Sequence, residues 1–580
     1  MRPAPPASGF CLLLCLCLAA CGATVPAADP GPRLRLNQVG YYPGQPISVT
    51  LGGAAGAEFF NPTPATPPTL LITDRATDRT VAEAPLLKQD WAALSGQPAY
   101  LARLDSLPAG EYRATVAGTD LGADFRVAPH ALRDALRGSV KGLYYQRASR
   151  PLDRAHAGPW HRPAGHPDTS ARFHPSSGRT SGTLSSPGGW YDAGDFNKYV
   201  VNGAFPLAQL LTAYEAFGDP APDGTLNIPE SGNGRSDYLD ELRTEMDWLL
   251  TMQDPADGGC YHKLTTLRFA GMVMPHAATA PRYVVGKGVT GTLDFAGAAA
   301  QFSRLYRPLD AAYADRLLTA ARRAFDWAQA HPATFFRNPA DVSTGEYGDD
   351  DATAEFAFAA AELFATTGEQ RYLNYLQQHP FRPRFAGASG WRAFMGNMAA
   401  FTLLRHPDRT PEELTGPLRQ RILSVADSLV DVIGRTAYRQ PLTTLNWGSN
   451  SDVLNAAYFL TAAYREAPRR PYLNAIHACV DYVLGHNPVD KCYLTGFGTN
   501  RVLNIHHRQS AADGIPEPVP GLLSGGPNSK QQDTGDGATY EPGAAPLRSW
   551  TDQTASYASN EICLNWNAPL TYVLAFLEAR

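Results

Sequence analysis

Between residues 33 and 127, apolar and polar side chains alternate in short runs at 33–36, 47–51, 69–72, 100–104, 112–116 and 123–127, punctuated by Gly and Pro. Successive side chains of a strand point to opposite faces, so this period of two marks half-buried strands. Runs of this length and spacing predict a β-sandwich of about a hundred residues. Leu107-Pro108-Ala109-Gly110 reads as the turn into one strand. After Pro129 the period changes. Apolar residues recur every three or four positions over 131–147, 199–217, 237–252, 292–306, 311–331, 353–366, 391–404, 412–434, 453–465, 472–484 and 561–579. In one of these segments Leu418, Ile422, Val425, Leu429 and Val432 share a face. With a weaker turn near Tyr372, the pattern predicts eleven or twelve helices. The chain therefore divides into a β-sandwich at 33–129 and a large all-α domain at 130–580.

Composition fits this division. The chain has 580 residues, 44% apolar and 18% charged, as expected of more than one domain with sizeable cores. A net charge of −5 gives no basic footprint, so no nucleic-acid partner is expected. The 52 Gly and 48 Pro imply long, shaped loops. Arg2, the apolar run 10–18 and Leu18-Ala19-Ala20-Cys21 form a targeting segment. The apolar run is too short to span a bilayer. The layout resembles that of bacterial lipoproteins. It implies a leader at 1–20, lipid on the sulfur of Cys21, and an exported protein anchored at a periplasmic or cell-surface membrane; an ordinary secretory signal is the alternative. Residues 21–32 read as a Pro-rich tether, and a monomer is expected. Beyond Cys21, the mature chain holds Cys260, Cys479, Cys492 and Cys563, which lack CxxC spacing and read as buried free thiols.

Two stretches carry the chemistry. The first is Gly188-Gly189-Trp190-Tyr191-Asp192-Ala193-Gly194-Asp195-Phe196-Asn197-Lys198-Tyr199, too Gly-rich for a helix interior. Its two carboxylates repel, so one tends to hold a proton or to share an ordered water. Helix capping is the bland alternative. The second is Ser556-Tyr557-Ala558-Ser559-Asn560-Glu561-Ile562-Cys563-Leu564-Asn565-Trp566-Asn567. Here Glu561 opens an apolar segment, where a carboxyl has its pKa raised and can serve as a general acid. One carboxylate to activate water and one carboxylic acid to protonate a leaving oxygen is the requirement of inverting glycoside hydrolysis, with the two groups ~6.5–9.5 Å apart.

These stretches resemble the catalytic motifs of glycoside hydrolase family 9, the inverting cellulases and their relatives. Asn227-Ile228-Pro229-Glu230-Ser231-Gly232-Asn233-Gly234 running into Asp240-Glu241 agrees, as does Tyr493-Leu494-Thr495-Gly496 followed by His506-His507-Arg508. Leu36-Asn37-Gln38-Val39-Gly40-Tyr41 resembles the start of the immunoglobulin-like domain that precedes many family 9 catalytic domains. The resemblance implies an (α/α)6 toroid with active-site loops at one mouth, and a sandwich that braces it. It implies Asp195 as the base, Asp192 as the partner that holds the water, and Glu561 as the acid. His506 and Arg508 match sugar-contacting positions, and Trp447 matches a position where an aromatic face stacks on a sugar. Tyr191 is a further candidate for substrate contact, although Trp190 and Tyr191 could both be core. Trp566 stands where the family more often has Tyr, which puts the preference of that subsite in doubt.

Relatives with the N-terminal domain often carry zinc. The corresponding cysteine positions are Ala148 and Gly165, and His166 alone cannot close a tetrahedral site, so no zinc is expected. Glu230, Asn233, Asp237 and Asp240 form an oxygen-rich loop, a candidate for structural calcium. In another family calcium loop, Thr353-Ala354-Glu355 replaces the usual Asp-Glu pair. No organic cofactor is expected. The reading is an inverting hydrolase of β-1,4-glucosidic bonds in cellulose-type or mixed-linkage glucans, an endoglucanase. Its rivals are an exo-acting cellodextrinase or exo-β-glucosaminidase, and a non-catalytic glycan-binding lipoprotein.

Overall fold

The computed structural model describes residues 31–53, 67–89, 92–385 and 390–580. The expected leader and Cys21 lie outside them. The sandwich is built from β1 (Arg33–Arg35), β2 (Ile47–Gly52), β3 (Thr69–Asp74), β4 (Arg79–Pro85), β5 (Leu87–Lys88), β6 (Ala99–Leu104), β7 (Gly110–Val116) and β8 (Gly122–Val127). Two four-stranded sheets, in the orders β1-β2-β6-β5 and β4-β3-β7-β8, enclose a core of their own that includes Val49, Leu70, Ile72, Tyr112 and Phe125. The six expected runs are strands. The pattern missed β4 and β5, which lie at sheet edges with most side chains exposed. An edge strand with little to bury carries no apolar alternation.

The sandwich sits on the helical domain through the stretch that opens it. Asn37 Nδ2 and Gln45 Nε2 donate to the Asp481 carboxylate at 2.8 and 3.1 Å, and Tyr42 OH donates to Glu578 at 2.6 Å. Arg35 pairs with Asp490 at 3.1 Å.

The helical domain contains α1 (Arg133–Tyr145), α2 (Val200–Phe217), α3 (Asp237–Met252), α4 (Val289–Tyr306), α5 (Ala311–Ala330), α6 (Thr353–Thr367), α7 (Gln370–Gln378), α8 (Gly390–Arg405), α9 (Glu412–Arg435), α10 (Ser449–Glu466), α11 (Arg470–Val483) and α12 (Leu564–Glu578). The even-numbered helices contact one another in a closed ring, α2-α4-α6-α8-α10-α12, and the odd-numbered helices pack outside it. This is an (α/α)6 toroid. The division is written in burial. Residues 200–213 of α2 are all buried, whereas α5 buries Leu317, Ala321, Ala324, Phe325 and Ala328 on one face. A helix wrapped by others on every side is apolar all round; an outer helix keeps a polar face.

Four inner helices begin where candidate site loops end. Asp195 lies just before α2, Tyr347 before α6, Trp447 before α10 and Glu561 before α12. A five-stranded sheet unforeseen from the pattern braces the first of these loops. It is formed by β9 (Ala171–Phe173), β10 (Thr183–Leu184), β11 (Lys198–Tyr199), β12 (Tyr261–Thr265) and β13 (Tyr283–Lys287), in the order β10-β9-β13-β12-β11. Among the described residues, no helix is long and apolar enough to cross a membrane. Cys260, Cys479, Cys492 and Cys563 are free and buried.

Candidate active site

The loop bearing Asp192 and Asp195 is pinned from below. Trp190 is fully buried, its backbone N–H donating to Glu245 at 2.7 Å and its indole N–H to Glu241 at 2.8 Å. Gly189 has φ +73°, and a Cβ there would lie 2.7 Å from Trp248, so both the backbone and the contact require glycine. Gly194 is required for closeness alone. A Cβ on it would lie 2.0 Å from the His506 carbonyl oxygen and 3.3 Å from a Glu561 carboxyl oxygen.

That approach brings three distant segments together. Ala193 bridges Cys563, His506 bridges Glu561, and the Leu564 N–H donates to the Asp192 carbonyl at 3.0 Å. Glu561 was expected to open the last helix. It lies instead in an extended segment ahead of α12, because these bridges and a bond from the Gly525 N–H to its carbonyl at 2.8 Å hold it out of the helix.

Asp192 and Asp195 are both buried. Asp192 accepts from Asn202 Nδ2 at 2.5 Å and from Tyr347 OH at 2.7 Å. Asp195 accepts from Asn197 Nδ2 at 2.5 Å and from Tyr199 OH at 3.4 Å. Burial raises both acids, and the charge of Asp195 raises Asp192 further, while Arg508 works against the rise at Asp195. At neutral pH the pair therefore carries less than two charges, and Asp195, beside the cation, is the member that ionises first. Glu561 is raised well above its ordinary value by burial and then by Asp195. A carboxyl held neutral beside an anionic one is the division of labour that acid–base catalysis uses.

His506 Nδ1 bonds the Thr554 carbonyl at 2.7 Å, so this nitrogen carries the proton. Burial lowers the ring's pKa to about 4, which leaves Nε2 a neutral acceptor. Arg508 donates from Nε to the Ala270 carbonyl at 2.8 Å and from Nη1 to the Gly194 carbonyl at 2.9 Å. It bonds these backbone carbonyls and acts on Asp195 and Glu561 through its charge. Trp447 is 48% exposed and joins the site through Tyr557, at 5.5 Å from Trp447 and 6.0 Å from His506 between ring centres. Phe269, 47% exposed, carries the Arg508 guanidinium 5.5 Å from its ring centre. Exposed aromatic surface thus adjoins both the His506 and the Arg508 side chains. Asn202, Tyr347 and Phe269 were not foreseen. Each is a single residue with no motif around it, and only the fold brings it to the loop.

Two expected substrate contacts are turned inward. The Tyr191 hydroxyl bonds His166 Nδ1 at 2.8 Å, and its buried ring packs on Phe196 with centres 5.1 Å apart. Trp566 is also buried. Built Cβ atoms on Gly448 and Gly525 would lie 2.6 and 2.9 Å from its ring, so it is wedged between those two backbones and shapes the cleft wall from behind.

The metal expectations resolve on donor chemistry. At the zinc locus, Ala148 and Gly165 offer no ligand, and the Cβ direction of Gly165 is filled by Pro275 at 2.6 Å. His166 is engaged by Tyr191 and by the Ala278 backbone. These residues do not fit zinc. The candidate calcium loop is saturated by protein donors. Asp237 accepts from the Leu226 N–H and Ser231 Oγ, both at 2.8 Å; Asp240 accepts from Asn233 Nδ2 at 2.8 Å; Glu230 pairs with Arg147 at 3.0 Å. The oxygens of these four residues are thus turned to donors within the protein. Among the described residues, no group of three or more His, Cys, Asp or Glu is arranged to hold a metal ion.

Comparison with known proteins gives one answer. The profile of Glycosyl hydrolase family 9 matches residues 133–574. The xyloglucan-specific endo-beta-1,4-glucanase BoGH9A of Bacteroides ovatus is 36% identical, over 95% of this chain and 94% of its own. Endoglucanase D of Acetivibrio thermocellus is 32% identical, over 94% of this chain and 83% of its own. Among solved structures, a Bacteroides ovatus GH9 protein superposes with a TM-score of 0.84 at 34% identity, over 94% of this chain and 98% of that one. The chain belongs to glycosyl hydrolase family 9.

Proposed function

We propose that this protein is an inverting endo-β-1,4-glucanase in which Asp195 is the base and Glu561 the acid. The observation that carries it is the meeting of these two residues across Gly194, one buried beside a cation and the other held protonated. In the reaction, Asp195 takes a proton from a water lying on the face of the sugar ring opposite the leaving group. The water oxygen bonds the anomeric carbon as the glycosidic C–O bond breaks. Glu561 passes its proton to the departing oxygen. Asp192, held by Asn202 and Tyr347, helps position the water. His506 Nε2 accepts from a sugar hydroxyl, and Trp447 offers a face to a pyranose ring.

Two exposed aromatic rings from different loops, Trp447 and Phe269, offer more than one sugar platform and favour a chain bound along the site, hence internal cleavage. The relationship to a xyloglucan-specific enzyme makes a soluble, branched β-1,4-glucan the first substrate to test. Leu18-Ala19-Ala20-Cys21 supports a lipid anchor at an exported membrane face, where diffusing chains are accessible and crystalline cellulose is not. The test is a product time course on xyloglucan, barley β-glucan and carboxymethylcellulose, with proton NMR of the first anomer formed. Rapid viscosity loss with α-anomers appearing first is expected. β-Anomers first would refute inversion. Glucose or cellobiose as the sole early product would refute internal cleavage, and no product from any glucan would refute the activity.

A further inference from the structure

Asp195 heads a line of buried polar side chains that runs away from the cleft. Asn197 Nδ2 donates to it at 2.5 Å. An amide can present either its nitrogen or its oxygen to a neighbour, and only its surroundings decide which. Here they decide it. Asn197 Oδ1 accepts from the Thr266 N–H at 2.9 Å and from Arg282 Nη1 at 3.2 Å, two groups that can only donate. The nitrogen is therefore left facing the carboxyl. Arg282 Nη1 also donates to the Phe196 carbonyl at 3.0 Å, which ties it to the loop itself. Its Nε and Nη2 reach the two oxygens of Asp168 at 3.0 and 3.4 Å. Asp168 is shared with the buried Lys198 at 2.9 Å.

This arrangement is costly to bury and is built in detail. Two cations and one carboxylate lie behind the loop with almost no exposed side-chain surface, and burial of that kind is offset only by good geometry and full hydrogen bonding. We propose that Arg282, clamped by Asp168, is a positioning residue for the reaction: it locks the Asn197 amide in the one orientation that donates to Asp195, so that the base turns lone pairs rather than a proton toward the attacking water.

The other charged and titratable groups around Asp195 come from separate elements. They are Asp192 on its own loop, Arg508 from the segment behind Gly194, Glu561 ahead of α12, Lys263 on β12 and Tyr199 on β11. None of these sets the orientation of Asn197. Removing Arg282 would leave Asn197 Oδ1 to the Thr266 N–H and Oγ1, at 2.9 and 3.3 Å, and so loosen the lock; when the amide turns, a carbonyl oxygen facing Asp195 can be satisfied only by a protonated carboxyl. The inference rests on the assignment of Asp195 as the base.

The experiment compares Arg282→Gln, Arg282→Lys and Asn197→Ala with wild type in two readouts. The first is kcat and KM against pH on the glucan that wild type hydrolyses best. The second is titration of the Asp195 carboxyl by infrared difference spectra against Asp195→Asn, which needs no substrate. Arg282→Gln should move the acid limb of the kcat profile and the carboxyl titration upward by about one pH unit, the scale of losing one nearby donor or charge. KM should stay within about threefold, and Arg282→Lys should fall between the two. Asn197→Ala leaves the Arg282–Asp168 pair intact and should give the same upward shift, so it carries the test if Arg282→Gln does not fold. An unmoved limb and an unmoved titration in Asn197→Ala would overturn the proposal. So would equal losses in kcat/KM at every pH. A glucan-inactive wild type would count against the functional reading alone, since the spectroscopic titration still decides the relay.

Discussion

At Asp195 and Glu561, identical chemistry is divided by surroundings. Arg508 opposes burial at the first, while burial and then the charge of Asp195 hold the second protonated. With Asp195 as base and Glu561 as acid, activity should need the first without its proton and the second with it. It should fall on the acid side as Asp195 protonates and on the alkaline side as Glu561 ionises. Glu561→Gln should lower kcat on a glucan by about a hundred- to ten-thousand-fold. It should lose far less on an aryl glycoside whose leaving group needs no proton, and it should abolish the alkaline limb; steady-state kinetics on the two substrates checks this. The same scale shows what a sequence conceals. The motif singles out Asp192, but its holders Asn202 and Tyr347 lie ten residues or more away, where nothing in the pattern marks a polar group as functional.

Among elements, the site is a meeting of loop ends, and close backbone approach is what makes it possible. Gly194→Ala should separate the base loop from the 506–508 segment. The clash is with a carbonyl rather than a flexible side chain, so a loss of about 1–3 kcal/mol is expected, read as a lower midpoint of denaturant unfolding with activity largely lost. The exposed aromatics Trp447 and Phe269 belong to different loops and should act on different sugars of the bound chain. Phe269→Ala and Trp447→Ala should each raise KM, and they should shift the cleavage position on an end-labelled oligosaccharide. Chromatography of the labelled products reads it, and a shared direction would place both rings on one side. The zinc locus makes its own prediction. A hydrogen-bonded Tyr191–His166 pair, packed with Phe196, fastens the base loop without a metal, so Tyr191→Phe should destabilise the protein by about 1–3 kcal/mol, whereas a chelator should leave its melting temperature unchanged.

For the whole molecule, the seam between sandwich and toroid is held by a buried acid. Desolvation pushes Asp481 up to about 7 although Asn37 and Gln45 donate to it. The folded state therefore binds a proton more tightly than the unfolded chain does. The stability this group contributes is complete below about pH 4 and is lost as pH rises through about 7, a few kcal/mol at most. Asp481→Asn should flatten the dependence of melting temperature on pH between about 4 and 7, and calorimetry across that range tests it. The sandwich is thereby seated on the toroid by the stretch from Asn37 to Gln45.

Periodicity alone determined the two domains, the six buried strands and eleven of the twelve long helices, with only a weak signal for the one near Tyr372, because each element records in its own side chains which faces are buried. The spaced motifs determined the chemistry, because acid–base hydrolysis needs those residue types whatever the fold. Tertiary structure decided the rest. It separated inner helices from outer ones, lifted Glu561 out of its helix, turned Tyr191 and Trp566 inward, and brought Arg282 and Asp168 behind the base. These outcomes depend on contacts between residues far apart in the chain, and no local pattern of apolar and polar positions encodes which distant backbone will come within 3 Å.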